Sequence, residues 1–355
     1  MLIRDQVPLA PLTTLGLGGP ARFYLAAESP EDIEGGVKWA SARGLPLLVL
    51  GGGSNLVIAD EGFPGLVLQV ATRGIETRAV GDSVELTAAA GEEWDDVVAL
   101  AVERGWAGLE CLSGIPGRVG ATPVQNVGAY GQDVAQTLVR LEALDRASGR
   151  RLRFSREECG FAYRSSRFKQ ADLNRYLLLA VTFRLRHQGP PCVGYSELSA
   201  FLSARGIERP ALADVRQAVL QLRRNKSMVI DPADPESRSV GSFFTNPVVE
   251  VEQAATVEAC LRQAGHLGQS ERMPSYPAPD GRAKLSAAWL IERAGFPKGY
   301  TSGGAGISAH HSLALVNRGG TAREIVDLAH QIRRVVQERF GISLEPEPVL
   351  VGLTL

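Results

Sequence analysis

The chain has 355 residues, of which 45% are hydrophobic and 22% charged, and its formal net charge is −1. This length exceeds the size at which a single hydrophobic core keeps growing, so we expect two or three domains. The near-zero net charge excludes a broad electrostatic attraction to nucleic acid or to an anionic membrane, so any phosphate binding must be local.

The cysteines and the N-terminal region indicate the compartment. The cysteines show neither a CxxC pair nor a metal-ligand spacing, which predicts reduced and mostly packed thiols. They are Cys111, Cys159, Cys192 and Cys260. The first residues lack the basic-then-apolar pattern of a signal peptide, and no run approaches ~18 apolar residues. We therefore expect a soluble, cytoplasmic protein without membrane insertion.

Helical and strand patterns alternate through the first half of the chain. The predicted elements are helices over 31–43 and 92–105, strands over 47–50, 84–89 and 176–186, and a hairpin of 138–144 with 150–154. The second helix has Trp94, Val97 and Val98 on its apolar face and Gly105 as its end signal. This mixture predicts an α+β domain rather than a single doubly wound sheet.

Residues 187–191, with the sequence HQGPP, are the clearest break in the pattern. Helical patterns follow at 195–205 and 211–224, and a longer irregular stretch covers 265–282. We place a domain boundary at the break.

A glycine-rich segment covers residues 113–131, with the sequence SGIPGRVGATPVQNVGAYG. Glycine is costly in regular elements, so this density predicts a backbone that bends closely around a ligand. Gln125, Asn126 and Tyr130 add side-chain donors and acceptors. A glycine-rich surface loop is the alternative.

A second glycine segment, GGGSN at 51–55, follows the predicted strand over 47–50. Consecutive amides in such a turn can bind phosphate oxygens. Neither a Walker loop nor a GxGxxG fingerprint is present, and no helical pattern opens from the turn. Together the two segments indicate a phosphate-containing ligand.

Six ordered motifs carry a family resemblance. They are LTTLG at 12–16, GGGSN at 51–55, the segment 113–131, YRSSRFK at 163–169, GSFFTNP at 241–247 and LEPE at 344–347. The sequence resembles the UDP-N-acetylenolpyruvoylglucosamine reductase family, in its long form with a tyrosine loop, over nearly the whole chain.

The resemblance implies a fold and a domain plan. It implies an α+β protein with a vanillyl-alcohol-oxidase/PCMH-type FAD-binding domain in two sub-domains, followed by a C-terminal α+β substrate domain. With the break at 187–191, the expected parts are an FAD domain over 1–187 (sub-domains of about 1–70 and 71–187), a substrate domain over 188–345 and a tail over 346–355.

The resemblance also implies that both glycine segments contact FAD. GGGSN would bind the pyrophosphate, and the later loop would lie near the isoalloxazine ring. The implied cofactor residues are Gly51, Gly52, Gly53, Ser54, Asn55, Ile115, Pro116, Gly117, Gly120, Ala121, Thr122, Gln125, Asn126, Gly128, Ala129 and Tyr130. These loops contain no histidine or cysteine that could link FAD covalently. We therefore expect non-covalent FAD.

Three catalytic residues follow from the same motifs: Arg164, Ser242 and Glu347. Arg164 would hold the substrate carboxylate, although a solvated basic face is the ordinary explanation of its cluster. Ser242 would protonate the carbon that bears the carboxylate after hydride addition, although GSFF also suits a strand start. Glu347 would help to stabilise the enolate, although acidic proline-rich tails are usually solvated. Relatives continue with valine and arginine where this chain has Pro348-Val349.

Six more residues match motifs that would hold the UDP part of the substrate: Tyr195, Lys226, Asn246, Tyr276, Lys284 and His311. Each could be an ordinary surface polar residue. For Lys226 this explanation is as good as a contact with the substrate. Tyr276 lies in a proline-bounded loop, 274–280, that would close over the diphosphate. His311 stands where relatives can carry glutamine, and the pair with His310 suits a structural role better than a metal site.

The implied reaction is the NADPH-dependent reduction of UDP-N-acetylglucosamine enolpyruvate to UDP-N-acetylmuramate, in peptidoglycan and cell wall biogenesis. NADPH and the sugar nucleotide would use the same cleft in turn, and a monomer is expected. Two alternatives stay open. One is another FAD-dependent oxidoreductase of the same fold, for example an oxidase, which needs no proton donor to a reduced carbon. The other is a catalytically silent flavin or UDP-sugar binding module, which would be colourless if it lacks flavin.

Overall fold

The computed structural model describes residues 1–263, 265–268, 270–278 and 281–355. These residues divide into two compact units. The first unit comprises Met1–Pro8, Pro20–Gly53 and Phe63–Val229, and the second comprises Leu9–Gly19, Ser54–Gly62 and Ile230–Leu355. The GGGSN segment is divided after Gly53, and residues 188–229 group with the first unit. The boundary that we place at 187–191 stays a prediction.

The α-helices of the described residues are α1 (Pro30–Ser41), α2 (Trp94–Glu103), α3 (Ser196–Ser203), α4 (Leu212–Arg224), α5 (Val251–Gln263), α6 (Ala287–Arg293) and α7 (Ala322–Phe340). The strands are β1 (Arg4–Pro8), β2 (Pro20–Ala27), β3 (Leu47–Leu50), β4 (Leu56–Ile58), β5 (Phe63–Val70), β6 (Ile75–Val80), β7 (Ser83–Ala89), β8 (Trp106–Ala107), β9 (Gly128–Ala129), β10 (Gln132–Asp133), β11 (Leu138–Asp145), β12 (Arg151–Ser155), β13 (Tyr176–His187), β14 (Ser239–Ser242), β15 (Val248–Val249), β16 (Ser275–Pro277), β17 (Ala283–Leu285), β18 (Thr301–Ser302), β19 (Ala305–Ile307), β20 (Ala314–Asn317) and β21 (Val349–Val351). The predicted helices, strands and hairpin of the first half are confirmed, with ends shifted by a few residues.

The first sheet of the first unit has the strand order β1-β2-β5-β3. β2 and β3 run parallel to β5, whereas β1 pairs antiparallel with β2. Ser29 begins α1 by accepting the amide N–H of Asp32 on its hydroxyl. Ile33 and Val37 of this helix share a core with Leu66 of β5. This packing fixes the end of β3, where the first glycine segment starts.

The second sheet of the first unit is antiparallel, in the order β12-β11-β13-β7-β6. Trp94 at the start of α2 is fully buried and lies with its ring centroid 5.6 Å from that of Phe183 in β13. Its indole N–H donates to the carbonyl of Leu112 at 3.1 Å. The tryptophan therefore anchors the chain directly before the second glycine segment. α3 and α4 form a separate core with Leu198 and Val219.

The second unit has a sheet in the order β14-β20-β19-β18, a sheet in the order β15-β17-β16, and the parallel pair β21-β4. Thr321 and Glu324 form a capping box that begins α7. Phe243 and Phe244, which follow β14, are 0% and 1% exposed. Burial of each aromatic ring stabilises the unit by ~1.5–3 kcal/mol, so the segment after β14 is firmly held.

Among the described residues, no helix has both the length and the low charge needed to cross a bilayer. The thiols of Cys111 and Cys159 are buried, whereas Cys260 is exposed. Burial raises the pKa of the Cys159 thiol to about 12, so that group stays protonated and unreactive.

Candidate active site

Residues 51–53 of the first glycine segment lie beside the second glycine segment, within the first unit. A Cβ atom added to Gly52 would lie 2.8 Å from the Cα atom of Gly117, and one added to Gly51 would lie 3.6 Å from the Cβ atom of Arg118. Carbon atoms in ordinary contact are ~3.5–4.0 Å apart. Residue 52 must therefore be glycine for the two backbones to approach this closely.

The second segment is tied to the start of α2. Gly117 has a φ of 119°, which favours glycine, and its carbonyl accepts the amide N–H of Trp94 at 3.0 Å. The amide N–H of Gly120 donates to the carbonyl of Ala90 at 2.9 Å, and a Cβ atom on Gly120 would lie 2.6 Å from that of Ala90. Packing against Ala90, which directly follows β7, thus requires glycine at 120, whether or not a ligand is near.

The first segment has a donor set that suits a pyrophosphate. Within the described part of the chain, no backbone hydrogen bond uses the amide N–H groups of Gly51, Gly52 or Gly53 as donors. Arg118 lies beside them; its Nη1 contacts Glu93 at 2.8 Å, and its buried Nε has no partner among the described residues. Adjacent amide donors next to a guanidinium match phosphate oxygens. The residues present therefore fit the pyrophosphate of FAD.

Two polar residues of the second segment are used inside the protein. The side chain of Asn126 accepts the amide N–H of Ala135 at 3.0 Å and donates to the carbonyl of Ala162 at 3.2 Å. The hydroxyl of Thr122 donates to the carbonyl of Val119 at 2.9 Å. Both side chains shape the loop, and their FAD contacts stay predictions.

The other predicted cofactor residues lie along the same loop. Ile115 is partly buried and packs against the core of the second sheet. Ala121 is exposed and ends a short 3-10 turn, while Gly128 and Ala129 form β9. Pro116 and Gln125 are half-buried. All of these residues belong to the first unit.

Arg164 is held against this loop in a strained conformation. Its φ of 52° lies in the left-handed region, which is uncommon for arginine. Its Nη2 donates to the carbonyl of Gly128 at 2.6 Å, and a Cβ atom on Gly128 would lie 3.1 Å from its Nη1. A side chain at residue 128 would crowd the guanidinium, so glycine there leaves room for Arg164. Backbone strain like that of Arg164 is often found at functional sites.

Tyr130 joins the predicted cofactor loop to two predicted substrate residues. Its ring lies 5.4 Å from that of Tyr195 in an edge-to-face arrangement, and Lys226 Nζ lies 5.8 Å from its centroid. Lys226 also forms an ion pair with Glu197 at 2.6 Å. Burial raises the pKa of Tyr130 to about 12, so its hydroxyl is neutral at ordinary pH. The structure thus brings Tyr130, Tyr195 and Lys226 together.

Arg223 lies in the same cluster, and our sequence analysis missed it. Its Nη2 donates to the carbonyl of Met228 at 2.7 Å, and its buried Nε has no partner among the described residues. Burial, with a smaller contribution from the charge of Arg164, lowers the pKa of Arg223 to about 10. The signal in the sequence was its place on the buried side of α4, next to Leu222 and three residues before Lys226.

Ser242 ends β14 in the second unit, directly after a bulge. The register of β14 with β20 shifts between Ser239 and Ser242, and Gly241 takes a φ of 74°. The Ser242 hydroxyl oxygen lies 3.4 Å from Nε2 of His311. The next residue, Phe243, donates its amide N–H to the carbonyl of Leu313 at 2.7 Å. The bulge and the buried phenylalanine therefore fix the direction of the serine.

Glu347 is attached to the other side of the same segment. Its amide N–H donates to the carbonyl of Phe243 at 2.8 Å, and its carbonyl accepts from Asn55 Nδ2 at 3.3 Å. Val349, which follows Pro348, donates its amide N–H to the carbonyl of Asn55 at 2.9 Å and begins β21. The structure thus brings the side chains of Ser242 and His311 together and hydrogen-bonds the backbone of Glu347 to Phe243, the residue next to the serine. The side chain of Asn55, in GGGSN, also holds the backbone carbonyl of Glu347.

The other predicted substrate residues of the second unit lie in and near the small sheet β15-β17-β16. Tyr276 stands opposite Lys284 in the antiparallel pair, and the tyrosine is 54% exposed. Asn246 Oδ1 accepts the amide N–H of Ala287 at 3.0 Å. The loop that we predict over 274–280 includes β16, but its residues Pro279 and Asp280 lie outside the described residues.

Comparisons with known proteins agree with the motifs. A model of the FAD binding domain matches residues 21–155, and a model of the UDP-N-acetylenolpyruvoylglucosamine reductase C-terminal domain matches residues 232–351. The UDP-N-acetylenolpyruvoylglucosamine reductase of Thermobifida fusca is 52% identical over 353 residues, which are 99% of this chain and 98% of that protein. That of Saccharopolyspora erythraea is also 52% identical, over 98% of this chain and 95% of the relative. The crystal structure of the reductase from Thermus caldophilus superposes on this chain with 26% identity and a TM-score of 0.64. The superposition covers 99% of this chain and 100% of the Thermus caldophilus chain.

Proposed function

The chain belongs to the UDP-N-acetylenolpyruvoylglucosamine reductase family, and we propose that it uses NADPH and non-covalent FAD to reduce UDP-N-acetylglucosamine enolpyruvate in the cytoplasm. It is a flavoprotein oxidoreductase of peptidoglycan precursor synthesis, with an α+β fold that includes an FAD-binding domain. The product would be UDP-N-acetylmuramate, on which cell shape and division depend.

The arrangement of Ser242 and Glu347 around Phe243 carries this proposal. The amide N–H of Glu347 donates a hydrogen bond to the carbonyl of Phe243, the residue next to Ser242. FAD, when bound, supplies a hydride to the terminal carbon of the enolpyruvyl group. The carbon that bears the carboxylate then has carbanion character and needs a proton, which Ser242 donates as general acid.

Glu347 and Arg164 stabilise the negative charge that develops on the substrate. In its protonated form, the Glu347 carboxyl donates a hydrogen bond to the enolate oxygen. A guanidinium has five N–H donors in a planar fork, and in Arg164 the carbonyl of Gly128 accepts from one of them. This anchor orients the guanidinium for a bidentate contact with the substrate carboxylate.

The UDP portion is held by Tyr195, Lys226, Asn246, Tyr276 and Lys284. The ammonium groups of the two lysines suit the diphosphate. Lys226 forms an ion pair with Glu197, and Lys284 lies opposite Tyr276 in the pairing of β16 with β17.

Anaerobic absorbance spectroscopy of the purified protein tests the reaction. We expect flavin bands that NADPH bleaches and that UDP-N-acetylglucosamine enolpyruvate restores. UDP-N-acetylglucosamine, which lacks the enolpyruvyl group, is the matched control and should restore nothing. Reoxidation by oxygen alone would support an oxidase instead, and a colourless protein that does not bind added FAD would support a silent binding module.

Acid precipitation tests how the flavin is bound. We expect the yellow colour in the supernatant, because non-covalent FAD is released when the protein unfolds. Colour that remains in the pellet would contradict the non-covalent state.

A further inference from the structure

The contact between Ser242 and His311 is fixed by the backbone of the second unit. Ser242 ends β14, and His311 lies in the turn before β20, whose Ala314 pairs with Ser242. The turn is closed because Ala314 donates its amide N–H to the carbonyl of His311 at 3.0 Å. The amide N–H of Phe243 also donates a hydrogen bond to the carbonyl of Leu313. Backbone hydrogen bonds next to Ser242 and next to His311 therefore hold the 3.4 Å contact between them.

The direction of this hydrogen bond decides whether Ser242 can act as an acid. A serine hydroxyl has a single proton. If the hydroxyl donates to Nε2, its proton points at the imidazole and not at the substrate. If Nε2–H donates to the serine oxygen, the hydroxyl proton stays available, and the alkoxide left after the transfer keeps a hydrogen bond.

We infer that His311 is a positioning residue that donates its Nε2–H to the Ser242 oxygen, and so directs the serine proton to the substrate carbon. This inference rests on the proposed function, in which Ser242 is the general acid. A neutral imidazole has one N–H donor, and here the serine oxygen accepts from it. This role therefore replaces the predicted contact of His311 with the substrate phosphate.

The role predicts a contrast between two variants of the same residue. His311→Leu removes the donor, and His311→Gln keeps a donor in the amide Nε2 group. Loss of a hydrogen bond to a charged oxygen slows a step by roughly 10- to 100-fold. We expect this loss in flavin reoxidation by saturating substrate in His311→Leu, and recovery to within a few-fold of wild type in His311→Gln.

The neighbouring His310 offers a matched control. It is exposed, and in the turn its amide N–H donates to Ser308 Oγ at 3.1 Å, a bond that a side-chain change preserves. His310→Leu makes the same chemical change one residue away and should reoxidise at the wild-type rate. Reduction by NADPH should be normal in all three variants, and circular dichroism with flavin content shows that each one folds.

Rapid-mixing absorbance at several substrate concentrations separates the possible roles. A higher substrate dissociation constant with a normal rate at saturation would overturn the inference and restore the phosphate contact. Equal losses in the leucine and glutamine variants would also overturn it. Wild-type protein that is not reoxidised by the substrate would instead contradict the proposed function.

Nitrogen-15 NMR of histidine-labelled protein gives a test that needs no turnover. The signals of His311 are assigned by their loss in His311→Gln. We expect Nε2 to carry the proton. An unprotonated Nε2 would mean that the imidazole accepts from Ser242, which contradicts the inference.

Discussion

Substitution of Gly52 by alanine tests the close approach of the two glycine segments. The new Cβ atom would lie 2.8 Å from Gly117 Cα, whereas carbon atoms in ordinary contact are ~3.5–4.0 Å apart, so the loops must separate by about 0.7–1.2 Å. Overpacking of this kind costs ~1–3 kcal/mol. If that cost falls on the loop that holds FAD, the dissociation constant rises roughly 5- to 140-fold.

Fluorescence titration of the apoprotein with FAD measures this change. Gly194→Ala is the matched control, because a Cβ atom on Gly194 would meet no heavy atom within 4 Å beyond its two chain neighbours among the described residues. This variant should bind FAD like wild type. Thermal melting of both apoproteins shows whether the cost appears as lost stability instead. Wild-type FAD affinity together with a wild-type melting temperature in Gly52→Ala would refute the argument.

Three further predictions concern the proton donor, an acidic core residue and the tyrosine loop. Ser242→Ala should leave FAD binding and the reduction of FAD by NADPH intact. It should slow flavin reoxidation by the substrate by ~10²- to 10⁴-fold, which rapid-mixing absorbance measures. An equal loss in reduction and reoxidation would mean that the serine positions the flavin. Hydrogen bonds from Arg184 and Arg78 lower the pKa of Glu85 from 4.5 to about 2, so the charged carboxylate stabilises the fold at neutral pH and loses this contribution as pH falls toward 2. The difference in unfolding free energy between wild type and Glu85→Gln, from urea titrations, should therefore shrink below pH 4.5; a difference that does not change with pH would contradict this. Tyr276→Phe should mainly raise the substrate KM in steady-state assays, and unchanged kinetics would make this tyrosine structural.

Local patterns predicted most elements of the first unit. The helix over 31–43 forms as Pro30–Ser41, because Ser29 caps it and Pro30 suits its first turn. The strand over 47–50 and the turn at Gly51 also form as predicted. These features depend on neighbours in sequence, which is the information that periodicity contains.

Long-range pairing could not be predicted in the same way. Residues 54–62 group with the second unit because β4 pairs with β21, and no local pattern in LVI specifies that partner. The contact between Ser242 and His311 depends on the register of β14 with β20, which a bulge shifts. Motif similarity found each residue alone but did not show that the histidine lies beside the serine.

The pairing of β4 with β21 also affects how the chain folds during synthesis. Asn55 and Glu347, which flank the two strands, are 292 residues apart. At ~5–20 residues per second, a ribosome needs roughly 15–60 s to make the intervening chain. Throughout that interval β4, whose Val57 and Ile58 are fully buried in the folded protein, has no β21 to pair with. The nascent chain therefore carries an apolar strand with an open edge until translation passes residue 351, and Glu347 reaches its position beside Phe243 at the same late stage.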